Sequence, residues 1–284
     1  MTDTSTSGFT QDINTMLDDF SIVSQTFTDI QECYVAHSGH ARIFSARRFG
    51  KRYMLKCLKT DFLTTPAYRM VLNKEFEIGV QLDHPNICHT ISMEPLPDLG
   101  PTIVMEYIDG ITLDAFMQEG KLTRQLARKF VAQLTDALGY MHSKQMLHRD
   151  LKPSNVMVTH QGHNIRLIDF SLSDGDSFNV FKSPGGTSGY IAPELMLPNA
   201  RSDIRCDIYS LGVLMACMAD KCGDKSMKRT ALACMNHDPE KRPESMAAVV
   251  IAPDITSGEK AALILLTLSS LLLTFLILYR LLTL

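Results

Sequence analysis

Between His148 and Phe170 the chain reads His-Arg-Asp-Leu-Lys-Pro-Ser-Asn, then a short interval, then Ile-Arg-Leu-Ile-Asp-Phe. These residue types suit the movement of a phosphoryl group. Asp150 can accept a hydroxyl proton and Lys152 can offset charge building on phosphate. Asn155 and Asp169 offer the oxygen ligands that magnesium prefers. Asn155 lies five residues beyond Asp150, one loop's reach, and Asp169 lies nineteen beyond it.

The surrounding elements must bring these groups together. Val156–Val158 and Ile165–Ile168 read as two short strands around the turn Gln161-Gly162-His163. A hairpin returns its ends to one place, so Asn155 and Asp169 are expected to face one metal. Upstream, Asp29–Ala36, Ala41–Arg47 and Arg52–Leu58 read as strands separated by Ser38-Gly39 and Phe49-Gly50. Lys56 ends the strand segment Tyr53-Met54-Leu55. Leu72, Phe76, Val80 and Leu82 give a helical core stripe, and Thr102–Ile108 is an apolar run of the buried-strand kind. From Arg124 to Ser143, Leu126, Phe130, Val131, Leu134, Leu138 and Met141 recur at three and four. That predicts an amphipathic helix with Thr123 as its cap.

The 284 residues are 45% hydrophobic and 21% charged with a net charge of −3, which predicts a globular chain of one or two domains with a sizeable core. Mild acidity gives no reason to expect a nucleic-acid partner. Seven cysteines, an odd number without paired metal spacing, predict reduced thiols in a cytosolic setting. Residues 1–20 are polar, carry a Ser/Thr run and lack a secretory signal, so a disordered segment is expected there.

From His148 onward the motifs resemble those of the eukaryotic-type (Hanks-type) serine/threonine protein kinases. The carriers are His148-Arg149-Asp150 with Asn155, Asp169-Phe170, and Gly186-Thr187-Ser188-Gly189-Tyr190-Ile191-Ala192-Pro193-Glu194. Lys152 with Pro153-Ser154-Asn155 is the serine/threonine rather than the tyrosine version. The resemblance covers about residues 29 to 250. It implies an α+β, bilobal fold: a small β-rich N-lobe over residues 21–105 and a larger α-rich C-lobe over residues 109–250, abridged after residue 218.

The same resemblance implies site roles. Asp150 and Lys152 would be catalytic, and Asn155 and Asp169 would hold Mg2+ (or Mn2+). Lys56 would contact the α- and β-phosphates of ATP and pair with Glu75 on the next helix. Glu77 is the rival, roughly 200° round that helix, so only one can face Lys56. Backbone groups near Glu106 and Ile108 would bind adenine, with Met105 behind. Asp114 would reach the ribose or serve as a helix N-terminal charge. Glu194 would pair with Arg242, Thr187 would line the substrate ledge, and Asp207 would bond backbone near the His-Arg-Asp turn. Ser173, Ser177 and Ser183 are candidate phosphorylation sites whose charge would meet Arg149. The implied partner is a protein bearing Ser or Thr, with autophosphorylation in trans admitted.

Three departures stand out. With Ile43 at the family's valine, Ala36, Ser38 and Ala41 occupy the three glycine places and only Gly39 remains, so a phosphate loop and a plain hairpin turn are equal readings. Ser171 replaces the glycine after Asp-Phe. Only 35 residues separate Asp207 from Arg242, which leaves little room for a substrate-docking helix between Met218 and Ser226. These departures keep open a pseudokinase, a nucleotide-binding scaffold at a membrane. A small-molecule kinase of related fold is a third reading, against which the Gly186–Glu194 ledge argues.

After a linker over residues 251–260, residues 261–284 carry one charge, Arg280. Ala261 to Tyr279 is nineteen uncharged residues, about 28 Å as helix and close to a bilayer's hydrocarbon thickness of about 30 Å. A single transmembrane helix is expected, with Tyr279 and Arg280 at the interface and the kinase-like part cytoplasmic.

Overall fold

The apolar alternation upstream of residue 107 builds one antiparallel sheet. The computed structural model describes residues 26–35, 40–170, 173–175, 189–196, 203–253, 265–271, 273–275 and 279. Five strands, β1 (Thr28–Val35), β2 (Ala41–Arg48), β3 (Lys51–Leu58), β4 (Thr90–Leu96) and β5 (Gly100–Glu106), lie in the order β1-β2-β3-β5-β4. The β2–β3 turn has two residues, Phe49 and Gly50, both left-handed at φ 51° and 73°. That conformation matches the twist of a tight hairpin. It fixes a register that puts Lys56 opposite Ile43 on one side and Ile103 on the other.

Helix α1 (Pro66–Gly79) packs across this sheet. Its proline at the first helical position costs no hydrogen bond. Leu72, Glu75 and Ile78 form its buried stripe, and Leu72 packs with Leu58 and Ile103. The sequence expectation for this helix needs one correction. Val80 is 46% exposed at the C-terminal cap, and Ile78 takes the buried place instead.

The helical part begins after β6 (Gly110–Thr112) with α2 (Leu113–Gln118) and α3 (Arg124–Ser143). Thr123 caps α3, its hydroxyl accepting from the Leu126 amide, and Phe130, Leu134, Leu138 and Met141 are wholly buried. Four short strands follow: β7 (Met146–Leu147), β8 (Val156–Thr159), β9 (Ile165–Leu167) and β10 (Asp174–Gly175). β8 and β9 pair as the expected hairpin, and β6 joins them in a three-stranded sheet.

Helix α4 (Ile204–Cys222) is the most buried helix of this part, with Ile208, Leu211, Leu214, Met215 and Met218 fully enclosed. It stops at Gly223 in the left-handed conformation, and α5 (Lys225–Cys234) starts two residues later, capped by Asp224. The two helices approach closely at Gly212, where an added Cβ would lie 2.7 Å from the Cys234 Cβ. No larger residue fits there without moving α5.

Residues 250–284 form a unit separate from residues 1–249. Its described residues 265–271, 273–275 and 279 are helical. Among the described residues, no helix is long and apolar enough to cross a membrane. The expected span over residues 261–284 lies partly outside them.

Candidate active site

Three side chains from distant parts of the chain meet beneath the sheet. Lys56 on β3 donates from Nζ to Glu75 Oε1 on α1 at 2.5 Å and to Asp169 Oδ1, just past β9, at 2.8 Å. Lys56 is 6% and Glu75 4% exposed, so the ion pair is sealed from water. Glu77, the rival carboxylate, is exposed on the far face of α1. Burial opposes the Lys56 charge, but Asp169 and Glu75 outweigh it and raise its pKa above the ordinary lysine range. Burial also pushes the Glu75 carboxyl up, to about 7, against the pull of Lys56.

A second group lies in the loop between β7 and β8. Lys152 Nζ donates to Asp150 Oδ2 at 2.7 Å. The Asn155 amide nitrogen donates to the Asp150 carbonyl at 2.8 Å and to its carboxylate at 3.0 Å. The Ile168 amide donates to the Asn155 carbonyl at 2.9 Å, which ties this loop to the residue preceding Asp169. Arg149 and Asp169 both hold left-handed backbone, φ 65° and 67°. For non-glycine residues that costs about 1–3 kcal/mol each and persists only where the surroundings impose it.

The loop is held from below by Asp207 in the first turn of α4. Its carboxylate accepts from the His148 amide at 2.9 Å, the Arg149 amide at 2.8 Å and His142 Nε2 at 2.8 Å. Burial alone would raise this acid. The His142 imidazole and the backbone donors reverse that and hold it below the usual aspartate range. Burial holds His148 below the ordinary histidine range, so it is neutral, and its ring lies edge-on to Phe170. Arg242 forms a two-pronged ion pair with Glu194, 2.7 Å on each oxygen, and also donates to the Asn236 and Arg205 carbonyls.

Several expectations meet a different outcome. Ser173 is fully buried and its hydroxyl donates to the His148 carbonyl at 3.3 Å, so it braces the loop and is no surface acceptor of phosphate. Ser177, Ser183, Thr187, Ser171, Gly39, Ala36 and Ser38 lie outside the described residues. Ile43 is half-buried opposite Lys56. Glu106 ends β5; its amide donates to the His89 carbonyl at 3.0 Å and its side chain accepts from the His89 amide at 2.9 Å. Glu106 and Ile108 border a groove of about 690 Å3 whose lining includes neither Lys56 nor Asp169. Asp114 sits in the first turn of α2 with Oδ1 buried. The sequence reading missed His142; the signal was a histidine directly after Met141 on the buried edge of α3.

The donors suit a magnesium–nucleotide rather than a free-standing metal. Among the described residues no three His, Cys, Asp or Glu side chains form a metal cluster. Asn155 spends its amide nitrogen on Asp150, so its oxygen is the atom that would ligate a metal. One amide oxygen and one carboxylate are too few to satisfy magnesium, which commonly takes its remaining ligands from substrate phosphates and water.

The chain matches the protein kinase domain family over residues 37–223. It is 30% identical over 192 residues to a probable serine/threonine-protein kinase of Streptomyces coelicolor, covering 64% of this chain and 28% of that protein. It is 30% identical over 188 residues to the serine/threonine-protein kinase PknB of Mycobacterium tuberculosis, covering 62% and 30%. Over 154 residues it is 36% identical to the serine/threonine-protein kinase ppk25 of Schizosaccharomyces pombe, covering 54% and 36%. The chain thus spans about a third of the length of these relatives. With a strand lysine, a helix glutamate and two loop aspartates on a sheet-plus-helices scaffold, this chain belongs to the protein kinase domain family.

Proposed function

We propose that this chain is a serine/threonine protein kinase that moves the γ-phosphate of ATP to a protein hydroxyl, tethered to a membrane by residues 261–284. The observation that carries the reading is the Lys56–Glu75–Asp169 triangle, set within one continuous hydrogen-bonded framework with the Asp150–Lys152 pair. Lys56, held in place by Glu75, binds α- and β-phosphate oxygens. Asn155 and Asp169 supply ligands for magnesium, which when bound neutralises charge on the phosphates. Adenine meets the Glu106 carbonyl and the Ile108 backbone. Asp150 orients the attacking hydroxyl and takes its proton, while Lys152 offsets charge on the transferring group. Little covalent work falls to the protein, so positioning and charge supply most of the rate.

The test is Asp150→Asn in the full chain. ATP affinity is expected to stay within about twofold while transfer to a serine- or threonine-bearing protein drops by orders of magnitude. Equal transfer by the variant sinks the role of Asp150. A wild-type chain that binds ATP but transfers nothing, with magnesium or manganese, is a nucleotide-binding scaffold instead.

The tether rests on composition and on exposure. Leu265, Leu266, Leu268, Leu271, Leu273 and Phe275 are helical and more than half exposed, an arrangement that water penalises. The full chain is expected to float with phosphatidylcholine vesicles and to resist alkaline extraction. A variant ending at residue 260 is expected to do neither, and flotation of that shorter variant overturns the tether.

A further inference from the structure

The hairpin between β2 and β3 breaks two rules of its own sheet. Its turn is made by Phe49 and Gly50, both left-handed, where Asn, Asp or Gly is the usual first residue and a bulky side chain is disfavoured. Its last two cross-strand pairs are Arg47 opposite Arg52 and Arg48 opposite Lys51, and like charges facing one another weaken a ladder. Packing does not offset either choice. Phe49 is 63% exposed, and Arg47, Lys51 and Arg52 are exposed with it. Local rules broken without a return inside the fold point to a task outside it.

The charge around this tip is one-sided. Residues 33–60 contain no Asp or Glu, in a chain whose net charge is −3. Two carboxylates reach the hairpin from other strands. Glu94 grips Arg48 at 2.8 Å, while Asp29 stands 3.6 Å from Arg47 in a pair open to water. Among the described residues Lys51 and Arg52 pair with no carboxylate, and Arg52 lies over the Tyr107 ring at 5.0 Å. The tip therefore presents one large apolar ring inside a collar of basic side chains. A second copy of the chain fits such a face poorly, because its own collar repels it. An anionic bilayer fits both parts: the ring suits the boundary of headgroups and acyl chains, and the cations suit the headgroups.

We infer that residues 47–52 form a lipid-docking tip, with Phe49 entering the interface of an anionic bilayer and Arg47, Lys51 and Arg52 binding its headgroups. This rests on the reading of residues 261–284 as a tether, which brings the chain to a membrane without choosing the face that meets the lipid. The tip makes that choice, and lipid charge governs it.

The chain has no tryptophan, so Phe49→Trp in the full chain gives an indole signal from the tip alone. The variant is placed in phosphatidylcholine vesicles with and without phosphatidylserine, and its emission and its quenching by lipids brominated on the acyl chains are read. With phosphatidylserine the emission is expected to shift to the blue and to be quenched. In phosphatidylcholine alone it is expected to stay that of indole in water. Salt at about 1 M, where the Debye length is about 3 Å, is expected to reverse the shift. So is adding Arg47→Glu with Lys51→Glu. These changes set opposite charges across both pairs, so stability in urea should hold or rise and misfolding cannot mimic the loss. Water-like emission in anionic vesicles overturns the inference. So does a shift that is equal in both lipids and grows with protein density, which assigns the face to a second copy. Failure of the full chain to float with phosphatidylcholine vesicles removes the tether itself, and this inference with it.

Discussion

Glu75 and Asp207 are both buried carboxylates beside a base, and they titrate in opposite directions. Asp207 receives three donors, from His142 and two backbone amides, and is held acidic. Glu75 has the Phe170 backbone and Lys56, which it shares with Asp169, and burial lifts it to about 7. The difference is the number of donors against a similar desolvation cost. A carboxylate that closes its own hydrogen bonds holds the loop in shape. One left partly compensated holds Lys56 against Asp169. The first arrangement serves the fold, and the second spends stability on the cleft.

The largest effect that would sharpen this contrast is Asp207→Ala. It leaves two amides and an imidazole without their acceptor in a sealed site, and is expected to lose about 3–5 kcal/mol in urea unfolding, with transfer abolished. A loss under about 1 kcal/mol would break the assignment of Asp207 to the fold. Arg242→Leu comes next. Glu194 is partly exposed and can rehydrate, so the expected loss is smaller, about 2 kcal/mol by the same measurement. Ser173→Ala is expected to cost about 1 kcal/mol, one hydrogen bond to the His148 carbonyl. Glu75→Gln belongs at the other end of the stability scale. Unfolding is expected to move by less than about 1 kcal/mol, while transfer falls at least about tenfold because Lys56 loses its guide. Parallel falls in stability and transfer would erase the distinction.

The two acids also predict opposite pH behaviour. The Glu75 pKa is raised on folding, so its contribution to stability is present below its unfolded value near 4.5 and is lost as pH rises through about 7. The Asp207 pKa is depressed, so its contribution is present above its unfolded value near 3.8 and is lost as pH falls through the lower folded value. The Glu75 ion pair requires the ionised acid. Transfer should therefore climb between about pH 6 and 8, and that limb should vanish in Glu75→Gln. A rate profile unchanged by the substitution would detach Glu75 from catalysis.

Much of this arrangement was legible before any coordinates. The β8–β9 hairpin and α3 with its Thr123 cap follow from periodicity and turn chemistry, which are local, while the Lys56–Glu75 pair was implied by the family resemblance. What escaped depends on distant partners. Ser173 reads as one more serine in a polar run, because nothing nearby in sequence announces that the His148 carbonyl will reach it. Val80 keeps helical phase with Phe76, yet α1 ends at Gly79 and turns it outward. His142 continues the buried edge of α3 as an ordinary polar residue until α4 brings Asp207 against it.

The match to the kinase family stops at residue 223, but the guanidinium that grips Glu194 is contributed by Arg242. A recombinant fragment trimmed to the family boundary would discard that grip together with α5, against which Gly212 is fitted. Crystallisation and assay work on the first packed unit should therefore keep everything through Val249, where that unit ends. Loss of activity in a shorter clone would report a missing buttress and would say nothing about chemistry in the cleft.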